Sequence, residues 1–141
     1  MAIDLNAIAA GLRKVGINAT TCRTLTEAHQ IALRVVTATD RPFDRLSMAI
    51  AAVGAPRHLH EPIVERWIVA GKPALSAYTP FVAHVLAVEL FFQMALASHL
   101  IGNLADIAYL FHLPHCMVLV SGDLLHRKCA PLFLRSDQQF V

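Results

Sequence analysis

Two aspartates, Asp106 and Asp123, lie in the stretch Asn103 to Arg127, N-L-A-D-I-A-Y-L-F-H-L-P-H-C-M-V-L-V-S-G-D-L-L-H-R. A third acid, Glu89, is the only one in the apolar run Phe81 to Ile101. Carboxylates are hard oxygen donors and suit Mg²⁺ or Mn²⁺. Gathered in one place, they could hold ions that polarise a phosphodiester, activate water and stabilise the leaving oxygen. Each acid also has an ordinary use. Asp106 in a helix's first turn would complement the helix dipole, and Asp123 ahead of Leu124 would serve as an N-cap. Glu89, surrounded by apolar residues, needs a cation, a set of donors or a metal, or else it titrates as a neutral buried acid.

The elements that must position these acids follow from the pattern around them. Ile107 to Leu113 is a short apolar run of helical character, and Pro114 is expected to stop it. Met117 to Val120 is β-prone and apolar throughout, as a buried parallel strand would be. That places Ser121-Gly122-Asp123 at the strand's carboxyl end, the edge of open α/β sheets where ligands and metals collect. A helix from Leu124 to Leu134 follows. The run Phe81 to Ile101 is long enough to raise the question of a membrane span. Glu89 near its middle costs about 2.5–3.5 kcal/mol there, His84, Gln93 and His99 add to that, and no basic flank sets an orientation. We therefore read a helix buried in protein, begun by Pro80, and favour no membrane span.

The N-terminal half reads as four helices. Residues Ala2 to Val15 carry Ile3, Ile8, Leu12 and Val15 at roughly helical spacing, with Gly16 as the stop. Thr24 and Glu27 have capping-box spacing for a helix to Thr37 with Ala28, Ile31, Ala32 and Val35 inward. Phe43 to Val53 presents Leu46, Ile50 and Val53. Leu59 to Ala70 presents Ile63, Trp67 and Ile68, with Pro62 near its first turn.

Asp106, the following helix and strand, and Ser121-x-Asp123 together resemble the PIN-like nuclease superfamily, in particular its bacterial members. The tail L-L-H-R-K-C-A-P-L-F-L-R is similar to that group as well, and the likeness is clearest from about Ala70 to Val141. The resemblance implies an α/β fold, with a helical segment over residues 1–76 packed on a partial PIN-like core with a short parallel sheet over 77–141, as one compact unit. It implies a metal-dependent ribonuclease acting on single-stranded RNA. Glu89, Asp106 and Asp123 would be its catalytic and metal-binding acids, Mg or Mn its ion, and Ser121, Arg127 and Lys128 its substrate contacts. One part of the family pattern is not matched. A PIN domain carries its first Asp after its first strand, whereas Asp4 follows only Ala2-Ile3 in a segment that reads helical. That acid is missing, or lies outside this chain. The runner-up is accordingly a non-catalytic PIN-like interaction module, and behind it a membrane-associated helical protein.

The chain has 141 residues, enough for one domain with a real core, and a net charge of +2 that by itself argues nothing about nucleic acid. Apolar residues make up 56% and charged ones 16%, an excess that points to a covered interface or a further part of the fold. Gln139-Phe140-Val141 has the look of another strand beginning. Cys22, Cys116 and Cys129 are too few and scattered for a disulfide framework, and Cys116 and Cys129 are expected reduced in the core. The opening M-A-I-D-L-N lacks the basic region of a signal peptide, so a cytoplasmic location is the expectation. His112-x-x-His115 and His126-x-x-Cys129 have spacings that suit a tetrahedral zinc. Apolar context argues against it, so zinc is not favoured. A protein partner or a homo-oligomer is left open.

Overall fold

A computed structural model describes residues 5–17, 22–102 and 107–141. Asp4, Ile3 and Asp106 lie outside them. The first helix, α1 (Leu5–Lys14), ends where Gly16 takes a left-handed backbone, φ +80°. The Ile17 amide donates to the Leu12 carbonyl and the Gly16 amide to Arg13, which closes the open carbonyls of the last turn. Helix α2 (Leu25–Thr37) starts as the sequence predicts. Thr24 Oγ1 accepts from the Glu27 amide at 3.1 Å, while the Glu27 carboxylate reaches the amide of Arg23, one residue ahead of the cap.

Helix α3 (Pro42–Ala52) and helix α4 (Arg57–Val69) follow, then a single turn, α5 (Leu75–Tyr78), that periodicity is too short to reveal. Pro62 sits within α4. Two inward assignments are corrected. Val53 is 44% and Ile68 42% exposed; the inner face of α3 is made by Arg45, Leu46 and Ala49, and that of α4 by Trp67, which the sequence also places inward. Arg45 is buried as a structural cation. Its guanidinium donates to the carbonyls of Arg34 (3.2 Å), Val35 (2.9 Å) and Asp40 (2.6 Å), and to the Asp40 carboxylate (2.9 Å). It thereby supplies a donor to the Val35 carbonyl at the end of α2 and adds a second to that of Arg34, which already accepts from the Ala38 amide.

The central element is α6 (Pro80–Ala97), apolar on nearly every side. It is a helix long and apolar enough to cross a membrane. Here Ala83, Leu86, Val88, Phe91, Phe92 and Ala95 are among its residues buried against protein. It stops four residues before the expected Ile101, since His99 turns left-handed (φ +57°). Helix α2 packs along it most extensively, and α3, α5 and the segment after α6 cover other faces, so the halves 1–76 and 77–141 share one core.

After α6 comes a 3₁₀ helix (Ile107–His115), then β1 (Val118–Leu119), α7 (Leu124–Phe133) and β2 (Gln139–Phe140). Pro114 does not stop the preceding turns. It stands one residue before their end, where its missing amide costs a single bond, and the Cys116 amide beyond it still donates to the Leu113 carbonyl at 3.1 Å. The two strands pair in parallel, with Val118 beside Gln139 and Leu119 beside Phe140. The broad α/β class is thus observed, as a mostly helical molecule with a short parallel sheet. Gln138, buried, fixes this arrangement. Its Nε2 donates to the carbonyls of Leu113 and Cys116, and its Oε1 accepts from the Arg135 amide.

Two consequences can be measured. Arg45→Ala takes the guanidinium donor from the buried Val35 carbonyl and is expected to destabilise by about 1–3 kcal/mol in urea unfolding. Asp40→Asn, at an exposed partner, is expected to cost under about 1 kcal/mol. Equal losses would refute the capping role. The second consequence concerns pH. Burial holds His29 and His84 below their ordinary value of 6.5. His29 meets Phe133 edge to face at 4.7 Å, and His84 Nε2–H donates to the Leu110 carbonyl. The unfolded chain therefore binds these protons more readily. Their contribution to stability is complete above 6.5 and is lost as pH falls below it. The urea midpoint should drop between about pH 7.5 and about pH 5.5, and in His84→Gln the drop should be smaller.

Candidate functional site

The carboxyl end of β1 is organised by three side chains from one turn of chain. Asp123 caps α7, its Oδ1 accepting from the amides of Leu125 (2.7 Å) and His126 (3.3 Å). Ser121 Oγ accepts from the Asp123 amide (3.2 Å) and lies 2.8 Å from Nδ1 of His126. His126 is buried, and the ring of Tyr109 stands edge-on to it at 6.0 Å. The sequence presents His126 only through its zinc-like spacing to Cys129. Its actual contact with Ser121 depends on the helix beginning at Leu124, which brings the residue five positions on back over the strand end. Asp123 itself is exposed, and its second oxygen, Oδ2, has no hydrogen bond among the described residues.

A cleft of about 490 Å³ opens beside this turn. Its walls are the loop His99 to Gly102 at the end of α6 and Leu124, Leu125 and Lys128 on α7. Lys128 is exposed and edges the cleft, while Arg127, also exposed, lies outside its walls. His99 occupies the position in the helix-ending motif that Gly16 and Gly71 occupy in α1 and α4. Its amide donates to Leu96, and that of Leu100 to Ala95. A side chain in that conformation is strained by roughly 1 kcal/mol or more. Neither the cleft nor this strain is visible in the sequence, where His99 counts only as a polar interruption.

Glu89 stands elsewhere. It is part-buried near the middle of α6, makes no hydrogen bond or ion pair among the described residues, and burial raises its pKa. On the helix it lies about 140° from His84 and about 160° from Phe91. Those two residues meet Leu110 and Phe133 of the strand unit. The face of α6 turned to the strand unit is therefore not the one bearing Glu89. Gln93, one turn on, shares the Glu89 face, and its Oε1 is buried without a hydrogen-bond partner among the described residues.

These residues offer Mg²⁺ or Mn²⁺ suitable donors but, among those described, no gathered set. The uncommitted Asp123 oxygen and the unpartnered Glu89 carboxyl are donors of the right chemistry. Among the described residues, however, no three His, Cys, Asp or Glu side chains come together as an ion would require, and Asp106 is outside them. The zinc spacings fare differently. His112 and His115 are exposed, and Cys116 is part-exposed rather than in the core, its thiol donating to the His112 carbonyl. Cys129 is buried, with burial pushing its thiol up to about 11, which opposes the thiolate that zinc binds. The three cysteines are free.

No protein-family model matches this chain, and no curated protein or solved structure matches it either.

The cap and any ligand role of Asp123 can be separated. Asp123→Ala is expected to cost about 1 kcal/mol of stability by losing the cap, while Asp123→Asn keeps it within a few tenths. His99→Gly should stabilise by about 1 kcal/mol through relief of the left-handed conformation. Thermal unfolding of the three variants decides both points; a destabilised His99→Gly would mean that the imidazole makes contacts worth more than the strain.

Proposed function

We propose that this chain is a PIN-like domain that acts as a metal-dependent ribonuclease on single-stranded RNA, with the strand end at Ser121 to Asp123 as its centre. One observation carries the reading. An exposed carboxylate with an uncommitted oxygen stands at the carboxyl end of a parallel strand, next to a cleft edged by a lysine. A divalent ion, when bound, would supply charge stabilisation and an activated water at the phosphodiester. The protein's part is positional. Asp123 is held in one orientation because its other oxygen is fixed by two amides of α7. Ser121 is held in turn by His126. Lys128, and Arg127 on the same helix, attract the phosphate chain, and Leu100 and Leu124 offer apolar surface to a base. Asp106, outside the described residues, is the second proposed acid; Glu89, on the face of α6 turned away from the strand unit, would join them only if that helix face were reached by the site, which Glu89→Gln tests.

The second reading is an interaction module of PIN-like type without catalysis. It is favoured by the lack of any three-acid group among the described residues. The deciding experiment combines Mn²⁺ and Mg²⁺ titration by calorimetry with cleavage of a labelled single-stranded RNA, on the wild type, Asp123→Asn and Glu89→Gln. The nuclease reading expects saturable metal binding and metal-dependent cleavage. In Asp123→Asn cleavage should fall by more than the roughly 10–100-fold typical of groups that merely orient a ligand. RNA binding without metal binding or cleavage would select the interaction module, and a folded sample that binds neither metal nor RNA would sink both.

A further inference from the structure

Strand β1 uses only one of its two edges. The Gln139 amide donates to Met117, the Val141 amide to Leu119, and the Ser121 amide to Val141. The odd-numbered residues of the strand thus face β2, and the amides and carbonyls of Val118 and Val120 point the other way. No backbone partner meets them among the described residues. One face of the pair is uncovered as well, since Val118 is 49% and Val120 72% exposed, and Val141, level with Val120 on β2, is 67% exposed. Proteins normally blunt such an edge with lysine, proline or a bulge. Met117-Val118-Leu119-Val120 carries none of these.

We infer that β1 pairs antiparallel with β1 of a second copy of this chain, joining the two small sheets into one of four strands. The register follows from which groups are free. With Val118 opposite Val120 of the other copy, and the reverse by symmetry, both outward-facing residues of each strand become hydrogen-bonded pairs. Leu119 then meets its own counterpart on the two-fold axis. A shift of two residues in either direction leaves only one such pair. The aligned register also brings unlike groups together. It carries Asp123 of each copy toward His115 of the other, an exposed carboxylate toward an exposed imidazole, once at each end of the ladder. The two-fold arrangement is isologous, the commonest form for a homodimer. It would seat a residue of the second copy beside the turn that holds Ser121 and Asp123. The inference stands on the strand edge alone and does not need the nuclease reading.

The test is sedimentation of the full chain over a concentration series, with hydrogen exchange of individual amides at the lowest and highest concentrations. The wild type should go from monomer to dimer. Across that transition the amides of Val118 and Val120 should slow by at least about tenfold, while those of Leu119 and Ser121, already bonded within the monomer, change little. Val120→Lys, with native circular dichroism, should stay monomeric at concentrations where the wild type is dimeric. A wild type that remains monomeric throughout overturns the inference. So does a dimer in which the Val118 and Val120 amides exchange as fast as in the monomer, since the copies then meet elsewhere. Should Val120→Lys fail to fold, the exchange pattern of the wild type still decides.

Discussion

An eighteen-residue helix that is apolar on nearly every side cannot be left facing water, and the rest of the molecule is arranged around that constraint. Each aromatic or aliphatic side chain buried on α6 contributes about 1.5–3 kcal/mol. The helix is covered by α2 along one face, by α3 and α5 on others, and by the 3₁₀ segment and α7 on the side of His84 and Phe91. The coverage sets the chemistry too. An acid on such a helix has few places to be solvated. Glu89 therefore lies on a face where cover is incomplete, with its proton affinity raised by burial and no ion pair among the described residues. Phe133 is the junction between this core and the strand unit, touching His29, His84 and Phe91 at once. The geometry of α7, and so of its cap, is thereby tied to the central helix.

At that cap, one carboxylate serves two demands. An N-cap needs one oxygen aimed at the amides of the first turn, and Asp123 supplies Oδ1. The requirement fixes the side chain and leaves the second oxygen without a hydrogen bond among the described residues, which is the state in which a carboxylate can take a cation or a proton without rearranging. A capping role and a ligand role are thus not rival explanations of the same residue. The serine two residues earlier is similarly doubled, satisfying the Asp123 amide while meeting His126. Local satisfaction of polar groups alone could produce this arrangement. What a local account does not produce is the adjoining cleft, with a strained histidine on one wall and a lysine on the other.

Much of the helical scaffold is legible in the sequence, and the reasons are specific. Gly16 and Gly71 end their helices because only a residue tolerant of positive φ closes the last turn so cheaply. Ala28, Ile31, Ala32 and Val35 recur at helical spacing and are all buried. Gln139-Phe140-Val141 reads as a strand and contains β2. The failures are equally specific. Arg45 is charged, and a periodicity argument places charges outside; its burial depends on carbonyls at the end of α2, ten residues earlier in the chain. His99 looks like a polar break in an apolar run, because nothing in its type announces a left-handed turn. The azimuth of Glu89 can be counted from the sequence, but which face of α6 meets the strand unit cannot be. Asp106 lies outside the described residues, and the likeness to PIN domains rests on the motif itself.

The two strands pose the last physical question, since parallel sheets are ordinarily covered on both faces. Here Leu119 and Phe140 turn inward to the core, while Val118, Val120 and Val141 form an apolar strip on the opposite face. A strip of valines on a sheet of two strands is a weak place to stop a fold, because a lone pair of short strands gains little from pairing. What holds the pair is the Gln138 side chain, which fixes the end of the 3₁₀ segment to the chain just before β2. That device stabilises the pair from one end only. It leaves the outer edge of β1 and the valine face poorly matched to water, and they border the same turn that carries Ser121 and Asp123. Contacts made at that edge are therefore positioned to alter the candidate site directly, through the few residues that separate Val120 from the cap of α7.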